Sequence, residues 1–205
     1  MTMTLQNDPL NLIICGIGGQ GNILVSRMIG KILNTKGFHV NIGETFGAAQ
    51  RGGTVFSCMR VSKNKNYGPL IPEGRAHMVL SLEPLEALRI LGMYGNPEIA
   101  TIVNTQSVLP VGVLAGEFDY PDSDSLQRAI QKFSGKYWAI NATKIAMELN
   151  APIVTNIIML GVLAQSGVIP VDEDDIRKEI KISLPSSVVD LNLRALSMGV
   201  NAVEA

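Results

Sequence analysis

The chain has 205 residues, which suits one core or one core with a small appendage, because single hydrophobic cores grow to about 250 residues. With 46% apolar and 17% charged residues and 20 glycines, it can bury a sizeable interior and form many tight turns, which excludes a disordered chain. A formal charge of −1 leaves no surplus of Lys and Arg to neutralise a phosphate backbone, so nucleic acid is excluded as a partner.

Taken in chain order, Leu10 to Cys15 is an apolar, strand-like run, GIGGQG is a turn, and Asn22 to Thr35 carries Ile23, Leu24, Met28, Ile29, Ile32 and Leu33 at helical spacing. Lys36 and Gly37 close that helix, and Phe38 to Ile42 forms a second strand ending at Gly43 and Glu44. This opening is a βαβ unit, with parallel strands and a right-handed crossover expected. Thr54 to Val61 alternates as another strand, and KNKNYGPLIPEG looks like an exposed hairpin tip and loop. Ala76 to Leu82 is a mostly apolar strand. Glu83 to Met93 is a helix with Pro84 in its first turn, where the missing N–H costs nothing. Ile99 to Asn104 is a buried strand, followed by short pieces broken by Pro110, Gly112 and Gly116. SDSLQRAIQKF is a capped helix, Tyr137 to Ile140 a short strand, and Ala142 to Leu149 and Ile153 to Gln165 are apolar helices. Two further helices follow, near Asp175 to Ile182 and Ser187 to Met198.

The expected fold is a three-layer α/β/α, Rossmann-like domain with a mostly parallel sheet and some antiparallel content. One domain spans 1–205, with the helices from about residue 170 packing on the core. The longest apolar stretch, around Ile157 to Ala164, falls well short of the roughly 20 residues a membrane helix needs. MTMTLQNDP lacks the basic-then-apolar pattern of a signal peptide, so the expected location is cytoplasmic.

GIGGQG holds G-x-G-x-x-G at Gly16, Gly18 and Gly21, between a strand and a helix, where phosphate binding requires it. Glycines let backbone approach an anion, and the helix N-terminus supplies free N–H groups and positive potential. The plainer reading is a turn that only packs strand against helix. Gln20 at the mouth of the turn could bind a ligand or cap the helix. Glu44 ends the second strand, where a dinucleotide-binding domain places its ribose carboxylate, which supports an NAD reading. Against that reading, no catalytic His, Tyr or Lys set of a dehydrogenase follows. Gln50 and Arg51 lie in a loop of small residues, where an Arg fork can meet a phosphate, a carboxylate or a partner's backbone. His39 and His77 sit in apolar strand patterns and read as structural. Glu83, Glu86 and Arg89 have the spacing of a surface ion-pair ladder. Asn156 is the one buried-looking amide in an apolar helix start. Cys15 and Cys58 lie in apolar runs and make no CxxC pair, zinc set or cluster ligand set.

GIGGQG, ETFGAAQRGGTVFSCMR, IPEGRAHMVLSLEPLEALR and TNIIMLGVLAQSGVIP together resemble the gamma-type domain of the pyruvate and ketoisovalerate ferredoxin oxidoreductase family. Within that family they are most similar to the free-standing beta subunits of the indolepyruvate ferredoxin oxidoreductases. The blocks run from about Cys15 to Gly167, and the tail VVDLNLRALSMG is also similar. The resemblance implies a subunit, inactive alone, of an enzyme that oxidises a 2-oxoacid such as indolepyruvate or pyruvate with coenzyme A. The products are an acyl-CoA and carbon dioxide, with ferredoxin as the electron acceptor. It implies thiamine diphosphate and iron–sulfur clusters in a larger partner subunit, none of them held by this chain alone, and coenzyme A as a shared ligand. Matched residue by residue, Gly16, Gly18, Gly19, Gln20 and Gly21 carry the first motif. Glu44, Gln50, Arg51, Gly52 and Gly53 carry the second. His77 departs from the Asp that the family more often has there. Two other classes stand beside this one: an independent NAD-binding Rossmann-type protein, which would bind a dinucleotide tightly by itself, and a nucleotide-sensing or scaffolding protein with a ligand but no partner enzyme.

Overall fold

The computed structural model describes residues 5–44, 53–109, 111–117 and 119–203. Strands β1 (Leu10–Ile17), β2 (His39–Glu44), β3 (Thr54–Ser62), β4 (Met78–Ser81), β5 (Ala100–Asn104) and β6 (Lys136–Ile140) form a single sheet in the order β2-β3-β1-β4-β5-β6. β1, β4, β5 and β6 pair in parallel, and β3 is antiparallel to both β1 and β2. The helices are α1 (Asn22–Thr35), α2 (Pro84–Tyr94), α3 (Val111–Leu114), α4 (Ser123–Lys132), α5 (Ala142–Glu148), α6 (Thr155–Ser166), α7 (Glu173–Ser183) and α8 (Ser186–Asn201), with a short 3₁₀ turn at Pro152–Val154.

β1 is buried along its whole length, and its alternating side chains supply both faces of the sheet. Leu10, Leu12 and Ile14 join the cluster built with α1, α5, α6, α7 and α8, while Ile13 and Cys15 join the one under α2 and α4. Two apolar layers on one sheet make the expected three-layer α/β/α arrangement. Ile176, Ile180, Ala195 and Leu196 of the last two helices belong to the first cluster. α8 lies against α6 at two glycines: a methyl group on Gly161 would fall on the Leu196 carbonyl oxygen, and one on Gly199 on the Ile158 carbonyl oxygen.

Two expectations change. β1 and β2 run in the same direction but are not neighbours, because β3 pairs with both, from Leu10 opposite Val61 on one side to Glu44 opposite Ser57 on the other. The segment after β3 is not a hairpin tip: it carries the chain past β1 to β4. Arg60 holds that segment, donating to the Gly68 and Leu70 carbonyls and to Asn11 Oδ1, with its guanidinium 4.7 Å from the centre of the Tyr67 ring.

Candidate functional site

β1 and β4 are parallel neighbours, and the chain leaves β1 through α1 toward β2 but leaves β4 through α2 toward β5. The carboxyl ends of β1 and β4 therefore flank a topological switch point, where open α/β sheets leave a crevice. The glycine-rich turn lies there. Gly19 and Gly21 have φ of +101° and +89°, a left-handed conformation that favours glycine. A methyl group on Gly19 would meet nothing within 4 Å, whereas one on Gly21 would strike the Asn156 amide. The first bond of α1 runs from the Val25 N–H to the Gly21 carbonyl, so helix geometry leaves the N–H groups of Asn22, Ile23 and Leu24 for another acceptor. Asn22 donates to the Ile17 carbonyl at 3.2 Å, and its buried Oδ1 has no partner among the described residues.

Gln20 is used by the turn itself. Its Oε1 accepts from the Ile17 N–H at 2.7 Å, and its Nε2 donates to the Leu82 carbonyl at 3.0 Å. Asn104 at the end of β5 donates to the same carbonyl at 3.1 Å and to Thr143 Oγ1 at 3.0 Å. The ends of β1, β4 and β5 and the start of α5 are thus tied at one point. A cleft of about 560 Å³ opens over this knot, lined by Gly19 to Gly21, Leu24, Leu82, Val108, Thr143, Pro152, Ile153, Thr155 and Asn156. None of those residues is titratable, and most of the lining is apolar; Ile153, at 83% exposed, projects freely at its edge.

Of the second motif, Gly53 meets the first: its carbonyl accepts from the Gly18 N–H at 2.8 Å. Gln50, Arg51 and Gly52 lie outside the described residues. Glu44 does not line the cleft. Its largely buried side chain pairs with Arg27 at 3.4 Å, and with β3 interposed it stands two strand spacings, roughly 10 Å, from β1. A ribose carboxylate belongs on the strand next to β1, so the inserted strand removes the geometry of the dinucleotide reading.

His77 Nδ1 accepts the Asn11 N–H at 2.9 Å, a structural role at the start of β4, and burial followed by the nearby Arg75 lowers its pKa. His39 is exposed rather than set in an apolar strand. Cys15 and Cys58 are buried, and burial pushes both thiols up from their ordinary range. Among the described residues no group of His, Cys, Asp and Glu could hold a metal ion.

The expected ladder of Glu83, Glu86 and Arg89 is not on the surface. Both carboxylates are 0% exposed, because the first turn of α2 tucks under the carboxyl ends of the strands. Glu86 pairs with Arg89 at 3.0 Å, while Glu83 caps α2 by accepting the Glu86 N–H at 3.0 Å and also accepts the Tyr120 hydroxyl. Burial raises the pKa of both carboxyls, the Tyr120 and Glu86 bonds opposing this at Glu83 and Arg89 opposing it at Glu86. Spacing alone could not reveal Glu83, since i, i+3 carboxylates look alike on a wet face and a buried one.

Turn, tied strand ends and apolar cleft define the class: a Rossmann-like α/β module whose glycine-rich loop opens at the switch point of its sheet. Residues 11–202 match the family model for pyruvate ferredoxin/flavodoxin oxidoreductase, and the chain belongs to that family. It is 35% identical over 195 residues to indolepyruvate oxidoreductase subunit IorB of Thermococcus kodakarensis, covering 95% of this chain and 96% of that one. In fold it is similar to the gamma subunit of the keto/oxoacid ferredoxin oxidoreductase of Geobacter sulfurreducens, with a TM-score of 0.67, 20% identity and 96% and 99% of the chains covered. It is also similar to the 2-oxoglutarate:ferredoxin oxidoreductase of Magnetococcus marinus solved with 2-oxoglutarate, coenzyme A and succinyl-CoA. There the TM-score is 0.72 at 19% identity, over 97% of this chain and 32% of that one. The chain is a small subunit of a 2-oxoacid:ferredoxin oxidoreductase, an enzyme acting on an oxo group, with larger partner subunits implied. The independent NAD-binding reading has no support. No described helix is long and apolar enough to cross a membrane.

Proposed function

We propose that this chain is the cluster-free subunit of a cytoplasmic enzyme that converts indolepyruvate and coenzyme A to the acyl-CoA and carbon dioxide. In that reaction the bond between the oxo carbon and the carboxylate breaks and a thioester bond forms. An electron pair passes to ferredoxin and a proton is released. The similarity to an indolepyruvate oxidoreductase subunit supports the substrate, and a larger partner would hold thiamine diphosphate and the iron–sulfur clusters, which supply the carbon–carbon cleavage and carry the electrons.

In this reading the chain seats part of coenzyme A in the cleft at the switch point. The observation that carries it is Gly19, whose left-handed backbone turns a face with no Cβ toward an open apolar cleft beside the first-turn N–H groups of α1, which have no acceptor within the helix. Gly16, Gly18, Gln20 and Gly21 hold that turn, and the Gly53 carbonyl is bonded to it; Gln50, Arg51 and Gly52 of the same motif belong to this proposal as further coenzyme A-binding residues. Glu44 is left holding Arg27.

The first expected outcome is that the purified chain is colourless and reduces no dye with any 2-oxoacid, activity appearing on addition of the larger thiamine-dependent subunit. A brown preparation, active by itself, would overturn the assignment.

The second concerns Ile153 at the cleft edge, where high exposure lets a charge be introduced without disturbing the core. In the assembled enzyme, Ile153→Glu should raise the KM for coenzyme A about tenfold through repulsion of its phosphates, with Ile153→Lys near wild type. Coenzyme A titrations of both variants, with assembly followed by size-exclusion chromatography, make the check. Equal loss of assembly in both marks a partner contact instead, and unchanged coenzyme A dependence in both removes the ligand from this cleft.

A further inference from the structure

The described residues of the excursion between β5 and α4, 105–109, 111–117, 119 and 120, run from the carboxyl end of β5 toward the start of α4, and Val108 near their beginning forms part of one wall of the cleft. One buried carboxylate holds this excursion near both ends. Glu83 Oε1 accepts the Val108 N–H at 3.4 Å and the Tyr120 hydroxyl, while Oε2 accepts the Glu86 N–H. Between the two anchors Leu109 and Leu114 are 46% and 69% exposed, so these side chains add little apolar burial to fix the excursion on the body of the subunit.

Capping α2 does not by itself call for a glutamate. Ser, Thr, Asp and Asn cap as well or better and place a shorter side chain there. A buried carboxylate with no cation on it among the described ion pairs is costly unless its acceptors are filled, and here the second oxygen is filled by the Tyr120 hydroxyl and the N–H of the wall residue Val108. The extra reach of Glu83 thus serves the excursion rather than the helix.

We propose that Glu83, acting through Tyr120 and Val108, is a positioning residue that sets the wall of the coenzyme A cleft. The inference rests on the reading that this cleft takes coenzyme A. Glu83 touches no substrate in this account; it decides where the wall stands when the ligand arrives.

Two variants in the assembled enzyme separate the wall from the cap. Tyr120→Phe removes the hydroxyl and keeps the ring, so it should raise the KM for coenzyme A about tenfold, leave kcat within about twofold and assembly near wild type, and lower the melting temperature by only about 2–4 °C from the less well filled Glu83 oxygen. Glu83→Gln keeps a carbonyl oxygen for Tyr120 but loses one carboxylate acceptor. It should lower the melting temperature while moving the coenzyme A KM less than Tyr120→Phe does. If Tyr120→Phe leaves the coenzyme A KM unchanged while Ile153→Glu raises it, the cleft reading stands and the positioning role is overturned. If neither variant moves that KM, both fall. A loss of melting temperature in Tyr120→Phe as large as in Glu83→Gln, with no change in KM, makes the contact structural and also overturns the proposal.

Discussion

Gly199→Ala is expected to be among the most damaging single-methyl additions in the chain, costing about 2–3 kcal/mol, or roughly 5–10 °C in Tm. In an exposed helix the same change gains up to about 1 kcal/mol from helix propensity. Here the new methyl group lands on the Ile158 carbonyl oxygen of α6, a backbone atom that cannot rotate away. Gly161 makes the reciprocal approach to the Leu196 carbonyl, so relief would require α6 and α8 to separate along their contact and open the core around Met159, Leu160 and Leu196. Gly92 supplies the control, because it sits in α2 with nothing within 4 Å of an added methyl group. Thermal melts of the two variants make the comparison, Gly92→Ala being expected at or above wild type. Coincident melting temperatures would show that the helices can part without cost.

Gly21→Ala should cost about as much, by two mechanisms that can be separated. Holding a residue with a side chain at φ +89° costs about 1–2 kcal/mol, and the methyl group also meets the Asn156 amide from α6. The first part belongs to the backbone and the second to the contact. Asn156→Ala should therefore recover the contact part alone, giving a coupling of about 1 kcal/mol in a double-mutant cycle measured by denaturant unfolding. In the assembled enzyme the single variant should also weaken coenzyme A binding, because the turn that carries Gly19 is displaced. A neutral Gly21→Ala would mean that the turn does not keep its left-handed form.

The turn and its helix show what local chemistry suffices to read. The Asn22–Thr35 helix has the same ends in the sequence pattern and in the structure, since a glycine on each side and apolar residues at helical spacing are properties of adjacent residues. The buried runs of β1 and β5 were legible for the same reason, as was the burial of Cys15 and Cys58. Family membership was legible because the GIGGQG and AAQRGG motifs occur together at their distance in the chain.

What local pattern could not determine is which strands and loops become neighbours. Thr54–Ser62 alternates like any strand, but its insertion between β1 and β2 follows from pairing with both at once, a long-range choice that moved Glu44 away from the cleft. Gln20 reads as a polar residue that could bind a ligand or cap the helix until Leu82, which is distant in sequence, offers its carbonyl. Glu83 and Glu86 have the spacing of a solvated helix face, and only the packing of α2 beneath the strand ends buries them. The sequence by itself determined the elements, the glycine turn and the family, because those depend on residue types at short spacing or on motifs in their order along the chain. The tertiary structure decided the strand order, the burial of the carboxylates and the residues around the cleft, because each depends on a hydrogen-bond partner or covering surface contributed from far along the chain.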